Sequence, residues 1–169
     1  MRLIVLYVVA TLAALTLQTG GLHMLPLGNH IPDLILILAV YLGLKHHTAL
    51  AAIIAFVMGY ATDVFSGSQI GLNAFMITLI FLLSYEASRH LMVTNDFVGS
   101  IAVFFAVIIK VFGVFAVTGS FRSLSDADAG MMRVALLQGL LTAIIAPFVF
   151  ASLSGGKRLM GLPDRQEDD

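Results

Sequence analysis

Cysteine and tryptophan are both absent from the sequence, and charged residues occupy only 11% of its 169 positions. Because there is no cysteine, disulfides, thiol catalysis and thiolate metal sites are excluded. Soluble globular domains are about one-quarter charged, so a chain with this little charge could not cover a folded surface with polar groups. The formal net charge is −1, which gives no indication of a nucleic-acid partner.

Apolar residues make up 59% of the chain, and its mean hydropathy is +0.99. They recur in runs separated by polar segments, without the alternation typical of β-strands. The sequence therefore predicts an all-α, polytopic membrane protein, because helices satisfy their own backbone hydrogen bonds in lipid. Six transmembrane helices are expected, at residues 3–18, 32–44, 49–65, 70–85, 97–118 and 134–153. They form one domain over 1–153, and the Gly-, Pro- and charge-rich tail 154–169 is expected to be flexible and cytoplasmic.

Two of the predicted spans leave alternatives open. The first follows Arg2 as the apolar part of a signal peptide would, but no small-x-small cleavage site follows, which favours an uncleaved span. The second begins at Pro32 and Asp33, a proline and an acid typical of a helix start. It is short for a hydrocarbon core of about 30 Å, so it either spans thinly or forms a re-entrant hairpin with the third, leaving four full spans.

Basic residues in the polar segments indicate the orientation, because lysine and arginine concentrate on the cytoplasmic side. With the N-terminus inside, the inner segments hold Arg2, Lys45, Arg89, Lys157, Arg158 and Arg165, and the outer segments hold Arg122 and Arg133. Both termini are therefore expected in the cytoplasm. The histidines share no metal-ligand spacing, and His46 and His47 are expected to be solvated at the interface.

A motif of glycines and one acid joins the third and fourth helices. It reads Gly59-x-x-x-Asp63-x-x-Ser66-Gly67-x-x-x-Gly71, with Asn73 two residues further on; Pro32-Asp33-Leu34 opens the second helix. Together and in this order, the fragments resemble the MreD family of bacterial rod shape-determining proteins. The resemblance covers residues 30–90 or so well, and the rest of the chain by size and helix count.

That resemblance implies a role rather than a reaction. MreD-like proteins are multi-pass proteins of the bacterial inner membrane and determinants of cell shape, and no catalytic residue, cofactor or metal is implied. The implied partner is MreC, a single-span protein with a periplasmic domain. Through it the chain would join the elongasome of lateral peptidoglycan synthesis, with RodA, a class B penicillin-binding protein and MreB filaments. The implied fold resembles the substrate-binding (S) components of energy-coupling-factor transporters.

A function of another class is the alternative: the substrate-binding membrane component of a vitamin-type energy-coupling-factor transporter. The chain has a suitable size, and Ala10-x-x-x-Ala14 in the first helix is similar to the motif by which such components dock. That motif is common in membrane helices. The absence of tryptophan and the few polar residues in the outer segments argue against a pocket for a specific solute.

Asp63 is the main functional candidate, because an acid in the last turn of a helix faces the negative end of its dipole. Either Asp63 and Ser66 accept turn amides around Gly67, or Asp63 forms a buried ion pair or contacts a partner. The other motif residues are expected to serve backbone geometry or local hydrogen bonds: close approach at Gly59, a turn at Gly67, packing at Gly71 and an amide contact at Asn73.

Small residues form stripes on two predicted helices: Ala52, Ala55 and Gly59 on the third, and Gly99, Ala102, Ala106 and Gly113 on the fifth. The stripes either pack within the protein or dock a partner's helix, since small residues allow close approach in lipid. Lys110 is near the centre of the fifth helix, where lysine costs about 3 kcal/mol on insertion scales, so it needs an anion. Asp63 lies at a similar depth, which predicts a buried Asp63–Lys110 pair unless Lys110 snorkels or meets an acid of another subunit.

Overall fold

The structure, a computed structural model, describes residues 2–21, 32–46, 48–67, 71–90, 96–118 and 129–159. All regular structure in these segments is helical, with no strand among them. The α-helices are α1 (Arg2–Thr16, followed by a π-helical turn at Leu17–Gly21), α2 (Leu34–Lys45), α3 (Ala49–Ser66), α4 (Leu72–His90), α5 (Asp96–Thr118) and α6 (Ala129–Leu159). The six predicted helices are therefore confirmed as helices, in the predicted order.

Two of these helices are long and apolar enough to cross a membrane: α3 over Ala49–Ser66 and α6 over Leu136–Gly156. The apolar parts of three others are shorter, at Ile4–Thr16, Leu34–Lys45 and Val98–Val114. Large apolar side chains such as Phe56 and Phe148 are exposed on the helix surfaces. A surface of this kind suits contact with lipid, in agreement with the hydropathy of the chain.

The centre of the fold is α2. All its residues from Ile35 to Leu44 are buried, and it contacts each of the other five helices. Apolar residues occupy every face of this helix instead of one stripe, and a helix with that pattern must be enclosed. Its 12 residues extend about 18 Å, less than a hydrocarbon core of about 30 Å. Burial of α2 therefore depends on the neighbouring helices and not on the thickness of the bilayer.

Polar residues cap both ends of α2. Asp33 is its N-cap, with a side-chain oxygen that accepts the amide of Leu36 over 3.1 Å, and Pro32 directly precedes the cap. His46 is the C-cap; it is 1% exposed, and its ring meets that of Tyr7 edge-on with 6.2 Å between centroids. The prediction that His46 is solvated is wrong, because α1 covers this end of α2; His47, for which the same was predicted, lies outside the described residues.

Close approaches at glycine hold the other helices around α2. Gly43 of α2 faces α4, where a Cβ would lie 2.6 Å from the carbonyl oxygen of Phe81. Gly99 of α5 is covered by the ring of Phe150 in α6. Helices in lipid rely on such contacts, since no hydrophobic effect drives one helix onto another there.

Two helices are longer than their apolar runs. Helix α4 continues to His90, past the predicted end at residue 85, and Glu86 and Arg89 form an exposed i,i+3 ion pair of 3.9 Å in its last turns. Helix α6 exceeds the predicted 134–153 at both ends, so residues 154–159 of the predicted tail are helical. Residues 160–169 lie outside the described residues. Hydropathy identifies the apolar part of a helix, and the helix can continue beyond that part at either end.

Candidate functional site

The motif between α3 and α4 is organised around the carboxylate of Asp63, which is 1% exposed. Its Oδ1 accepts hydrogen bonds from the main-chain and side-chain nitrogens of Asn73, and its Oδ2 accepts from the amides of Gly71 and Ala74, all over 3.0 Å. Amides at the start of a helix have no acceptor within that helix, and they lie at the positive end of its dipole. Asp63 of α3 therefore caps α4.

The glycines at the two ends of this connection have backbone angles that favour glycine. Gly67 ends α3 with a φ of 61°, and Gly71 precedes α4 with a φ of 95°. A Cβ at Gly71 would meet nothing within 4 Å, so this glycine serves backbone conformation and not the packing predicted from the sequence. Among the described residues, Gly71 and the first turn of α4 donate to Asp63, and Ser66 is exposed at the end of α3. Residues 68–70 of the turn after Gly67 lie outside the described residues.

Gly59 lies where α3 and α4 approach most closely within this motif. A Cβ on Gly59 would lie 2.6 Å from the Cα of Ala74 and 2.7 Å from the carbonyl oxygen of Asn73. Because Gly59 and Asp63 are four residues apart, they share one face of α3, and both contact the start of α4. Gly59, Asp63, Gly71 and Asn73 thus form a clamp between two helices, called the α3–α4 clamp below.

Lys110 pairs with Asp33 instead of the predicted Asp63. Its Nζ lies 2.5 Å from Oδ2 of Asp33, and the two side chains are 16% and 12% exposed. The other oxygen of Asp33 accepts the amide of Leu36 at the start of α2. Counting residues along the helices gives depth but not which faces meet, and in the structure both oxygens of Asp63 are directed at amides of α4. The predicted Asp63–Lys110 pair is therefore corrected to Asp33–Lys110.

Two further hydrogen bonds surround this ion pair. The amide of Asp33 donates to Oγ1 of Thr142 in α6 over 3.2 Å, and Nε2 of Gln18 donates to the carbonyl oxygen of Pro32 over 3.1 Å. Side chains from three parts of the chain thus meet at the start of α2, and this satisfies the polar groups that burial would otherwise leave without partners. Sequence reasoning missed Thr142 and Gln18, which belong to no motif.

Most residues of the predicted docking stripes pack within the protein, and two of them also line a groove at its surface. On α3, Ala55 is fully buried and Ala52 is partly buried against the core. On α5, Gly99 is covered by α6, and Gly113 lies against the side chain of Met76 in α4. Packing within the chain occupies these four positions.

Ala102 and Ala106, the remaining stripe residues of α5, line a groove between α4 and α5, called the α4–α5 groove below. Ala106 is 5% exposed, and Ala102 is partly buried against the core. The groove has a volume of ≈ 280 Å³ and an almost entirely apolar lining, to which Phe105 of α5, Ala87 of α4 and Leu44 of α2 also contribute. A groove of this kind admits an apolar side chain of another helix at short range. Its α4 wall was not predicted, because hydropathy does not show which helices face each other.

The chain also matches a known protein family by its sequence. The family profile described as rod shape-determining protein MreD matches residues 1–154. That range contains the α3–α4 clamp, the Asp33–Lys110 pair and both walls of the α4–α5 groove. No curated protein and no solved structure matches the chain.

Proposed function

We propose that this chain, which belongs to the MreD family of rod shape-determining proteins, is a non-enzymatic, multi-pass scaffold of the bacterial inner membrane that binds MreC. The family consists of membrane-associated determinants of cell shape, and its profile covers residues 1–154. A scaffold acts by holding its partners in place, so it needs a surface that another protein can enter. The open α4–α5 groove is the observation that best supports this function.

The α4–α5 groove suits the membrane helix of a single-span protein such as MreC. Because lipid provides no hydrophobic driving force for association, two helices bind by close packing at small residues. Ala102 and Ala106 are one helical turn apart on one face of α5 and line the groove. The glycines of the same stripe already contact α4 and α6. Ala106 is 5% exposed and Ala102 is partly buried against the core, so a partner would reach them through the groove, past the exposed side chains of Ile101 and Phe105.

Binding of MreC would place this chain in the machinery of lateral peptidoglycan synthesis. MreC would connect it to RodA, a class B penicillin-binding protein and MreB filaments. In this role the chain fixes the position of a partner helix in the membrane, and the partner's periplasmic domain meets the synthetic enzymes. Such a role requires no reacting residue from this chain.

We further propose six membrane spans with both termini in the cytoplasm. Positive-inside counting supports the orientation, with six basic residues on the inner side and two on the outer. The short α2 is compatible with this topology, because its neighbours enclose it on every side. The likeness to S components of energy-coupling-factor transporters rests on the family resemblance alone. The alternative function in vitamin transport finds no support, since the matched family determines cell shape.

Leucine substitutions at the two groove alanines test the docking. Ala102→Leu and Ala106→Leu fill the groove, and overpacking that costs about 1–3 kcal/mol should lower the yield of co-purified MreC per inserted molecule about fivefold or more. Ala116→Leu is the matched control, because Ala116 is exposed on the same helix outside the groove. Normal capture of MreC by both groove variants would place the docking surface elsewhere.

A further inference from the structure

Lys110 lies within one helical turn of the α4–α5 groove. Ala106 and Ile109, both on the α5 wall of the groove, are four residues and one residue before it. The side chain of Lys110 joins Asp33 at the start of α2 and is 16% exposed. Any shift of Lys110 along or around α5 therefore also moves this wall of the groove.

Asp33 is a fixed anchor for this lysine. Its Oδ1 accepts the amide of Leu36, and its own amide donates to Thr142 of α6. The following residues of α2 are buried on all sides. The ion pair thus ties α5 to the most enclosed helix of the fold.

The remaining contacts of α5 with the core are mainly apolar. Val103 and Val107 are buried there. The close approaches of Gly99 and Gly113 are to the side chains of Phe150 and Met76, which can shift when the helix moves. A buried ion pair is satisfied in one geometry, and buried polar residues can set the register of packed helices. Two explanations follow for Lys110: it sets the position of α5, or Asp33 merely neutralises it.

We propose that Lys110 is a positioning residue of the α4–α5 groove, whose ion pair with Asp33 sets the height and rotation of α5. This inference rests on the proposed function of the groove as a docking site. The ion pair acts on the partner only through the placement of Ala102, Phe105 and Ala106, which line the groove.

Conservative substitutions separate the two explanations. Asp33→Asn removes the charge but retains an oxygen for the amide of Leu36, and Lys110→Met removes the charge at similar length. Each single variant leaves one buried charge without its partner, whereas the double variant leaves no such charge. Lys110→Arg retains the pair. The exposed pair of Glu86 and Arg89 provides the matched control, as Glu86→Gln with Arg89→Met.

The readout is cross-linking of introduced cysteines in α4 and α5 by a short bifunctional thiol reagent, and the chain has no native cysteine to interfere. Met76→Cys with Gly113→Cys reports the native register, because a Cβ on Gly113 would meet the tip of the Met76 side chain. Met76→Cys with Ala116→Cys reports a shift of α5 by one turn. Yields are expressed per inserted molecule, so a lower abundance of a variant does not alter the result.

If Lys110 positions α5, the double variant should accumulate better than either single variant and still lose register. Its 76–113 yield should fall at least about threefold, because the directional contact between Lys110 and Asp33 is gone, while its 76–116 yield rises and its capture of MreC falls. Lys110→Arg and the Glu86/Arg89 control should retain the native yields. A double variant with native 76–113 cross-linking would overturn the proposal, since Asp33 would then only neutralise Lys110. The cross-link forms without any partner, so its result is independent of whether the groove binds MreC.

Discussion

Asn73 of α4 donates both its main-chain and its side-chain amide to a single oxygen of Asp63 in α3, each over 3.0 Å. The other oxygen accepts the amides of Gly71 and Ala74. The acid that the sequence singles out is thus part of the structure of the α3–α4 connection. Two of these contacts, with the amides of Asn73 and Ala74, replace those that the first amides of α4 cannot make within their own helix.

Asp63→Asn should destabilise the protein more than Asn73→Ala. An asparagine directs an NH₂ group at amides that need an acceptor, so at least two hydrogen bonds to a charged oxygen are lost, at a cost of about 3 kcal/mol in unfolding free energy. Asn73→Ala removes the side-chain hydrogen bond to Asp63, at about 1.5 kcal/mol. Thermal unfolding in mild detergent measures both.

Ser66→Ala is the control for this series, because Ser66 is exposed at the same end of α3. It should unfold like the native protein. Equal stability of Asp63→Asn and Ser66→Ala would show that Asp63 does not hold α4 and would return it to the candidates for partner contact.

Gly59→Ala should separate α3 from α4. Its Cβ would lie 2.6 Å from the Cα of Ala74, and a backbone atom cannot turn aside as a flexible side chain can. We expect a loss of about 1–3 kcal/mol in unfolding free energy from this overpacking. Gly155→Ala provides the comparison, since a Cβ there meets nothing within 4 Å and alanine favours a helix. If the two variants were equally stable, close approach at Gly59 would not matter to the fold.

Local patterns in the sequence were sufficient to predict the helices and several of their ends. Apolar runs located all six helices, and the acid at Asp33 marked the start of α2, because capping depends on neighbours along the chain. The ion pair of Glu86 and Arg89 is local in the same way, because residues three apart lie on one face of a helix. These features involve residues within one or two turns of each other.

Contacts between distant helices were harder to predict. Depth along the helices selected Asp63 as the partner of Lys110, whereas the packing of the helices places Asp33 against it. Likewise, His46 next to Lys45 looked interfacial, yet α1 covers it. A polar residue at a helix end can be buried when another helix crosses that end, and hydropathy along one segment contains no such information.

The proposed topology predicts that the end of α3 and the end of α4 lie on opposite sides of the membrane. Ser66→Cys lies at the outer end of α3, and Arg89→Cys lies near the end of α4; both native side chains are exposed. In cells with a permeabilised outer membrane, an impermeant maleimide should label Ser66→Cys, and it should label Arg89→Cys only after lysis. The reverse pattern would invert the orientation derived from the basic residues.

Site-specific photo-cross-linking tests the docking of MreC in the α4–α5 groove most directly. A photoreactive phenylalanine analogue can replace Phe105, which lines the groove, or Phe148, which is 75% exposed on α6 outside it. Both replacements exchange one exposed aromatic side chain for another, so they are closely matched. We expect an adduct with MreC from position 105 and none above background from position 148. An adduct from position 148 with none from position 105 would contradict docking in the groove.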